Sequence, residues 1–350
     1  MTALDYREAA PAAATHDMYL DSAGNPTDKS VVGLLAAGVP GSVAGLYEAW
    51  QKYGSLPWAT LVAPAIRLAG GGHVVDSARS RDIASDRELL ARFPASRAQF
   101  LVRDSAPPPG TMWRQPDLAR TLQLISDSGP DVFYRGQIAD LIVAEMQRGG
   151  GLITKDDLRR YRAKWRTPIQ LTYRGHTIYS MPPPSSGGVT MGEILNILEG
   201  YDTLPAFGTP AYVHLITEAM RRAFIDRNRW LGDPDVVAMP LDRLLSKSYA
   251  ATLRSQIDPQ HATPTPPQAA SGEAMHTTHY SIVDAMGNAA AVTTTLNGGF
   301  GSGVTVTGAG FLLNNEMDDF ATAPCTSPYM LGLCRARPMR SPATSGCSRR

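Results

Sequence analysis

The stretch TTHYSIVDAMGNAAAVTTTLNGGFG, residues 277–301, alternates apolar and small polar side chains with the period-two rhythm of a half-buried sheet. THYSIVD, a turn at AMGN and AAAVTTTLN predict a β-hairpin, TGAGFLLNN (307–315) predicts a further strand, and GGFGSG (Gly298–Gly303) reads as a flexible turn. What precedes the hairpin is of another kind. Asp258–Gly272, DPQHATPTPPQAASG, has almost no large apolar residue, cannot bury itself, and is expected to be an exposed, mobile linker. A doubled threonine, Thr277-Thr278, therefore opens a strand just after a linker. A threonine hydroxyl is a poor nucleophile until a base takes its proton, and cutting the chain before a threonine supplies that base from the residue's own α-amine. The amine's ordinary pKa, about 7.7–8.0, suits proton transfer near neutrality. The layout alone is weak evidence, because doubled threonines open many ordinary strands.

At 350 residues and 43% hydrophobic content the chain has ample material for a substantial core. Thirty-three basic residues against thirty-two acidic ones, spread without blocks, give no electrostatic footprint for nucleic acid or an anionic membrane surface. Small-molecule chemistry is the better expectation. Pro40 and several glycines interrupt the most apolar segment, VVGLLAAGVPGSVAGL, well short of the ~18 residues a membrane span needs. The first residues, MTALDYREAAP, have neither a basic leader nor an apolar run, so the sequence as written shows no export signal. Cys325, Cys334 and Cys347 all lie near the end, with no zinc-type spacing, and no histidine cluster or phosphate-binding glycine loop is evident. Neither metal nor cofactor is expected.

Apolar residues recurring every three or four positions predict helices at 117–126, 137–148, 191–198 and 211–231. In the last, Leu215, Ile216, Ala219 and Phe224 form an expected buried stripe, and Arg221, Arg222, Arg227 and Arg229 an expected solvated face. PIQLTYRG and HTIYSMPPP fit short strands, and MPPPSSGG (Met181–Gly188) fits a rigid turn. No internal repeat is apparent.

TTHYSIVDAMGNAAAVTTTLNGGFGSGV followed by GFLLNNEMDDFA resembles the start of the small subunit of γ-glutamyltranspeptidases, or glutathione hydrolases. The resemblance runs back through LGDPD, YSMPPPSSGG, GGLITKDDL, GPDVFYRG and AAGVPGSVAG to DYREAAPAAAT, so it covers roughly residues 3–333. It implies an α+β fold, the four-layer αββα sandwich of N-terminal-nucleophile hydrolases, here incomplete. It also implies a division into a large-subunit part, 1–276, mostly helical with a linker at 256–276, and the start of the catalytic small subunit, 277–333. Scission between His276 and Thr277 would leave Thr277 as nucleophile. That residue would attack the γ-glutamyl amide of glutathione or another γ-glutamyl compound and pass the acyl group to water, an amino acid or a dipeptide. The two subunits of one precursor would be each other's partners.

The resemblance assigns further roles by position. Arg7, otherwise an unremarkable surface arginine near a terminus, matches the arginine that pairs with the substrate α-carboxylate, where a planar fork suits two oxygens. Glu316 and Asp319 match the acidic residues around the α-ammonium, Asn297 its polar partner, and Thr295 the threonine that hydrogen-bonds the nucleophile. Asp318 beside Asp319 could suggest a metal or acid–base pair, but neighbouring strand residues point to opposite faces. His279 could suggest a Thr-His dyad. A nucleophile with its own amine does not need one, and a packing role is the expectation.

The family's Ser-Ser-Met and Gly-Ser-Pro-Gly-Gly segments, the second of which supplies oxyanion donors, do not occur in this sequence. Losing one such donor typically lowers rates ~10²–10³-fold, so turnover by these 350 residues is expected to be low. The segment CRARPMRSPATSGCSRR (334–350) differs in composition from everything before it. Under one choice of codons a one-base shift near Leu333 turns it into a run ending in Ser-Ser, so a frameshifted, unrelated tail is expected. Some hundred residues that the family carries before Arg7, usually with an export signal, point to a periplasmic or secreted parent. Two other readings stand beside this one: a cephalosporin (glutaryl) acylase with the same nucleophile, and a non-catalytic remnant.

Overall fold

Apolar spacing and helix positions agree closely. In the computed structural model, which describes residues 1–264 and 277–320, the four periodic segments are helices Pro116–Ser128, Gln137–Gly149, Gly187–Glu199 and Pro210–Trp230. Pro116 and Pro210 each open a helix, where a missing N–H removes no intrahelical bond, and Thr209 caps the last by accepting from the Tyr212 amide. The two short strands pair antiparallel as Ile169–Tyr173 and His176–Ser180. Their two-residue turn, Arg174-Gly175, has positive φ at both positions (47° and 83°), as a type I′ turn requires. The tail 334–350 and most of the linker lie outside the described residues.

Two packing units result, and they do not follow the order of the chain. The described part of one is residues 1–5, 165–264 and 320, and of the other 6–164 and 277–319. In the first, Ile197 and Leu198 pack with Leu215, Ala219, Ala250 and Leu253, with Ile216 at the margin and Phe224 half-buried.

The arginine face of helix Pro210–Trp230 departs from expectation. Arg222 is 8% exposed and bonds Glu218 (2.5 Å) and the Leu253 and Gln256 carbonyls. Glu218 also accepts from the Thr263 amide and hydroxyl, Arg221 donates to the Pro264 carbonyl, and His214 bonds the Asp258 carbonyl. Burial raises the Glu218 pKa, but Thr263 and Arg222 outweigh it and bring the carboxyl down to about 2. The beginning of the expected mobile linker is thus exposed yet tied to one helix face, and three of its anchors, the carbonyls of Gln256, Asp258 and Pro264, are backbone groups that leave no mark in its composition.

Glu193 is the most deeply buried acid of this unit, at 1% exposure, and one of its carboxyl oxygens has no hydrogen-bond partner. Burial, then the negative charge of Asp226 and a hydrogen bond to it, push Glu193 up to about 9, with Arg243 opposing. Tyr249 donates to the same Asp226 at 2.6 Å and is itself raised to about 12, first by burial. The folded state therefore holds a proton that the unfolded chain releases above about 4.5, so stability falls as pH rises from about 4.5 to about 9. Glu193→Gln removes the titration. It is expected to flatten the pH dependence of urea unfolding over that window and to add roughly 1–3 kcal/mol at pH 8. Equal slopes in the two proteins would disprove the assignment.

In the second unit, Ile138, Ile142 and Met146 of helix Gln137–Gly149 pack on Ile153, Leu158, Val304, Val306 and Leu313. Here the predicted strand at 307–315 does not form. Gly308 and Gly310 take positive φ, the chain turns, and a single bridge joins Thr305 to Leu312. GGFGSG is a turn, but much of it is buried: Phe300 is 4% exposed and packs edge-on against Phe100. A Cβ on Gly301 would come within 2.1 Å of the Leu313 carbonyl, so no other residue fits there. The predicted hairpin forms as Thr277–Val283 and Ala289–Thr295, antiparallel in register. Its first strand is exposed along its length, Ile282 and Val283 included.

Candidate active site

The hairpin register sets Thr277 directly opposite Thr295, with their hydroxyl oxygens 3.5 Å apart, the outer limit for a hydroxyl pair. Thr295 is oriented from the other side, since its Oγ1 accepts the Asn297 amide at 2.9 Å. Asn297 can close this turn because asparagine tolerates the left-handed region, here φ 72°. Its side-chain amide donates to the Asn315 carbonyl (3.1 Å), and the Asn315 amide donates to the Leu296 carbonyl (3.0 Å). The Asn315 side chain in turn accepts the Gly298 amide at 2.8 Å. An unbroken series of bonds thus leads from Thr277 to the acidic turn that follows Asn315.

That turn, Glu316–Asp319, is one turn of 3₁₀ helix rather than a strand. Side chains three apart eclipse on such a helix, so Glu316 and Asp319 share a face and Asp318 points elsewhere. The separation of Asp318 from Asp319 holds, for a different geometric reason than strand alternation. Both eclipsed carboxylates reach Arg7: Glu316 Oε1 lies 2.7 Å from Nη2, and Asp319 Oδ2 bonds the same nitrogen. Glu316 is 4% exposed, and its second oxygen, Oε2, is buried without a hydrogen-bond partner. Burial raises the Glu316 pKa, the Arg7 charge pulls it back, and the neighbouring Asp318 charge pushes it up again.

Arg7 is held by groups with no local sequence signature. Tyr161 donates to the Arg7 carbonyl (2.8 Å) and stacks on Tyr134 with centroids 5.6 Å apart, and Tyr134 donates to the Pro40 carbonyl. Gly41 and Gly45, in AAGVPGSVAG, let helix Ser42–Tyr53 close on Tyr6. A Cβ at Gly41 would lie 2.0 Å from the Tyr161 hydroxyl, and one at Gly45 would lie 2.2 Å from the Tyr6 ring. Asn314 exchanges two hydrogen bonds with Gly38, both 2.9 Å, pinning the acidic turn to the same segment.

His279 makes no dyad with Thr277. It is exposed rather than packed, and its ring nitrogens face Thr293 Oγ1 at 2.7 Å and Ser281 Oγ at 3.3 Å. The expected packing role fails because this face of the hairpin is open. Thr278 pairs with Thr294 in the ladder, as an ordinary strand residue does. His276 lies outside the described residues.

An N-terminal-nucleophile hydrolase is the class of protein to which this hairpin, its paired threonines and the fold correspond. The family model for gamma-glutamyltranspeptidase matches residues 1–343, and the chain belongs to that family. The glutathione hydrolase proenzyme of Escherichia coli (strain K12) is 46% identical over 339 residues, spanning 95% of this chain and 58% of that relative. Among solved structures, Helicobacter pylori gamma-glutamyltranspeptidase superposes with a TM-score of 0.73 at 42% identity, over 75% of this chain and 76% of the other. Cephalosporin acylase from Bacillus halodurans shares the fold at TM-score 0.81 but only 29% identity, over 95% of this chain and 62% of the acylase. The chain spans about 58% to 62% of the length of three curated relatives it matches.

Proposed function

We propose that this chain carries the nucleophile and the acyl-donor head-group site of a γ-glutamyl hydrolase and transferase, an activity of the whole-length protein. Scission after His276 frees the Thr277 amine, which takes the proton from Thr277 Oγ1 as that oxygen attacks the γ-amide carbonyl of glutathione. The proton then passes to the departing cysteinylglycine amine, leaving a γ-glutamyl ester on Thr277. Water, or the amine of an amino acid or dipeptide, resolves the ester and restores the hydroxyl. Thr295 orients Oγ1. The word proenzyme in the name of the E. coli relative supports the scission step.

Recognition is the work of Arg7, Asn297, Glu316 and Asp319. The observation that carries it is the buried, unpartnered Glu316 Oε2 beside Arg7 and Asp319. An α-amino acid head supplies the missing donor through its ammonium, while the planar Arg7 fork takes its carboxylate. A glutaryl group has no ammonium and would leave Glu316 unsatisfied, which favours γ-glutamyl over glutaryl donors. Calorimetric titration of the chain with L-glutamate and with glutarate tests this. L-Glutamate is expected to bind at least tenfold more tightly; equal affinities would refute the head-group assignment.

A further inference from the structure

The carboxylate that the proposed chemistry leaves unused, Asp318, is buried at 8% exposure and accepts a hydrogen bond from Ser30 Oγ at 2.7 Å. Ser30 is similarly buried, at 6%, so the bond is shielded from bulk solvent. Ser30 is itself fixed. It ends a short 3₁₀ turn, Asp28–Ser30, whose preceding residue Thr27 donates through amide and hydroxyl to the Tyr19 carbonyl, and Tyr19 donates to the Leu35 carbonyl at 2.8 Å. The Glu316–Asp319 turn is held at its start by Asn314 Oδ1, which accepts the Glu316 amide at 3.0 Å. The Ser30 bond lies near its far end, on Asp318 rather than on the two acids that bond Arg7. Because the three acids sit on one tight turn, rotating Asp318 away from Ser30 would also rotate Glu316 and Asp319 away from the guanidinium.

We propose that Ser30 is a positioning residue for the γ-glutamyl head group: acting through Asp318, it sets the rotation at which Glu316 and Asp319 meet the substrate ammonium. The role rests on the reading of those two acids given above. It differs from general support of the fold in acting first on the ammonium end of the ligand, since the Arg7 backbone is held separately by Tyr161.

The test is titration of the full chain and its variants with L-glutamate and glutarate, with the unfolding midpoint as a check on folding. Ser30→Ala is expected to weaken L-glutamate binding about tenfold and glutarate binding much less, so that the preference between them collapses. Asp318→Asn keeps an oxygen in place to accept from Ser30 and is expected to retain the preference. Asp318→Ala loses it, and this pair gives the same comparison should Ser30→Ala fail to fold. If the unsubstituted chain prefers L-glutamate and Ser30→Ala keeps that preference, or loses affinity for both ligands equally, the positioning role is wrong while the head-group reading stands. If the unsubstituted chain shows no preference, the head-group reading fails and the role of Ser30 falls with it.

Discussion

Arg7→Ala is expected to weaken L-glutamate binding at least a hundredfold and to move the binding that remains to higher pH. The guanidinium is the cation facing both Glu316 and Asp319 across the site, and Glu316 is almost wholly buried. Removing one partner of a buried ion pair typically costs about 3–5 kcal/mol, and each 1.4 kcal/mol is tenfold in affinity. The Arg7 side chain is 37% exposed, so solvent screening reduces the effect toward the lower end of that range. Lysine is expected to recover only part of the loss, because one ammonium cannot contact two carboxylates and a ligand in the planar geometry of a fork.

The pH effect has a definite sign. Burial already raises the Glu316 pKa and Arg7 opposes it, so without Arg7 the carboxyl keeps its proton to still higher pH. A protonated Glu316 is a poor acceptor for an ammonium. Affinity should therefore fall as pH drops through the raised pKa, and the midpoint should lie higher in Arg7→Ala than in the unsubstituted chain. Titrations at several pH values check both expectations. An unchanged affinity for L-glutamate would show that Arg7 serves only to neutralise its two neighbours.

Thr277→Ala is expected to abolish scission and all acyl transfer, whereas Thr277→Ser should preserve both at reduced rate. Alanine keeps the strand and the register with Thr295 but removes the only atom proposed to attack. Serine keeps the oxygen and loses the methyl that restricts its rotamers, so fewer molecules hold Oγ opposite Thr295. Thr295→Ala should lie between these extremes, because the Asn297 amide loses its acceptor and Thr277 its neighbouring hydroxyl. N-terminal sequencing and γ-glutamyl anilide assays of the three substitutions, each made in the whole-length protein, check the series. A Thr277→Ala protein that still releases a fragment beginning at position 277 would place the nucleophile elsewhere.

The sequence carried the helices and the hairpin openly, because each depends on a local rhythm of apolar residues. Where a local rule met a tertiary constraint, it failed. TGAGFLLNN alternates well enough for a strand, but Gly308 and Gly310 take the left-handed conformation and turn the chain. Arg222 sits in a run of basic residues that looks solvated; its burial depends on Glu218 one turn earlier and on carbonyls more than thirty positions away. In the site, the Thr277–Thr295 pairing follows from hairpin register alone. The approach of Arg7 to Asp319 joins residues far apart in the chain, and only the resemblance to γ-glutamyltranspeptidases made it visible beforehand. Tyr161, Tyr134, Asn314, Asn315 and Ser30 support that constellation through backbone carbonyls and buried single bonds, for which the sequence has no signature.

Intact-mass measurement with N-terminal sequencing of the purified, unsubstituted chain, followed over days near neutral pH, tests the central claim most directly. Scission by Thr277 predicts that the 37.6 kDa species declines while a fragment whose first residue is Thr277 accumulates at a rate independent of protein concentration. A chain that stays whole, or one cut at any other bond, would contradict the assignment of Thr277 as an N-terminal nucleophile.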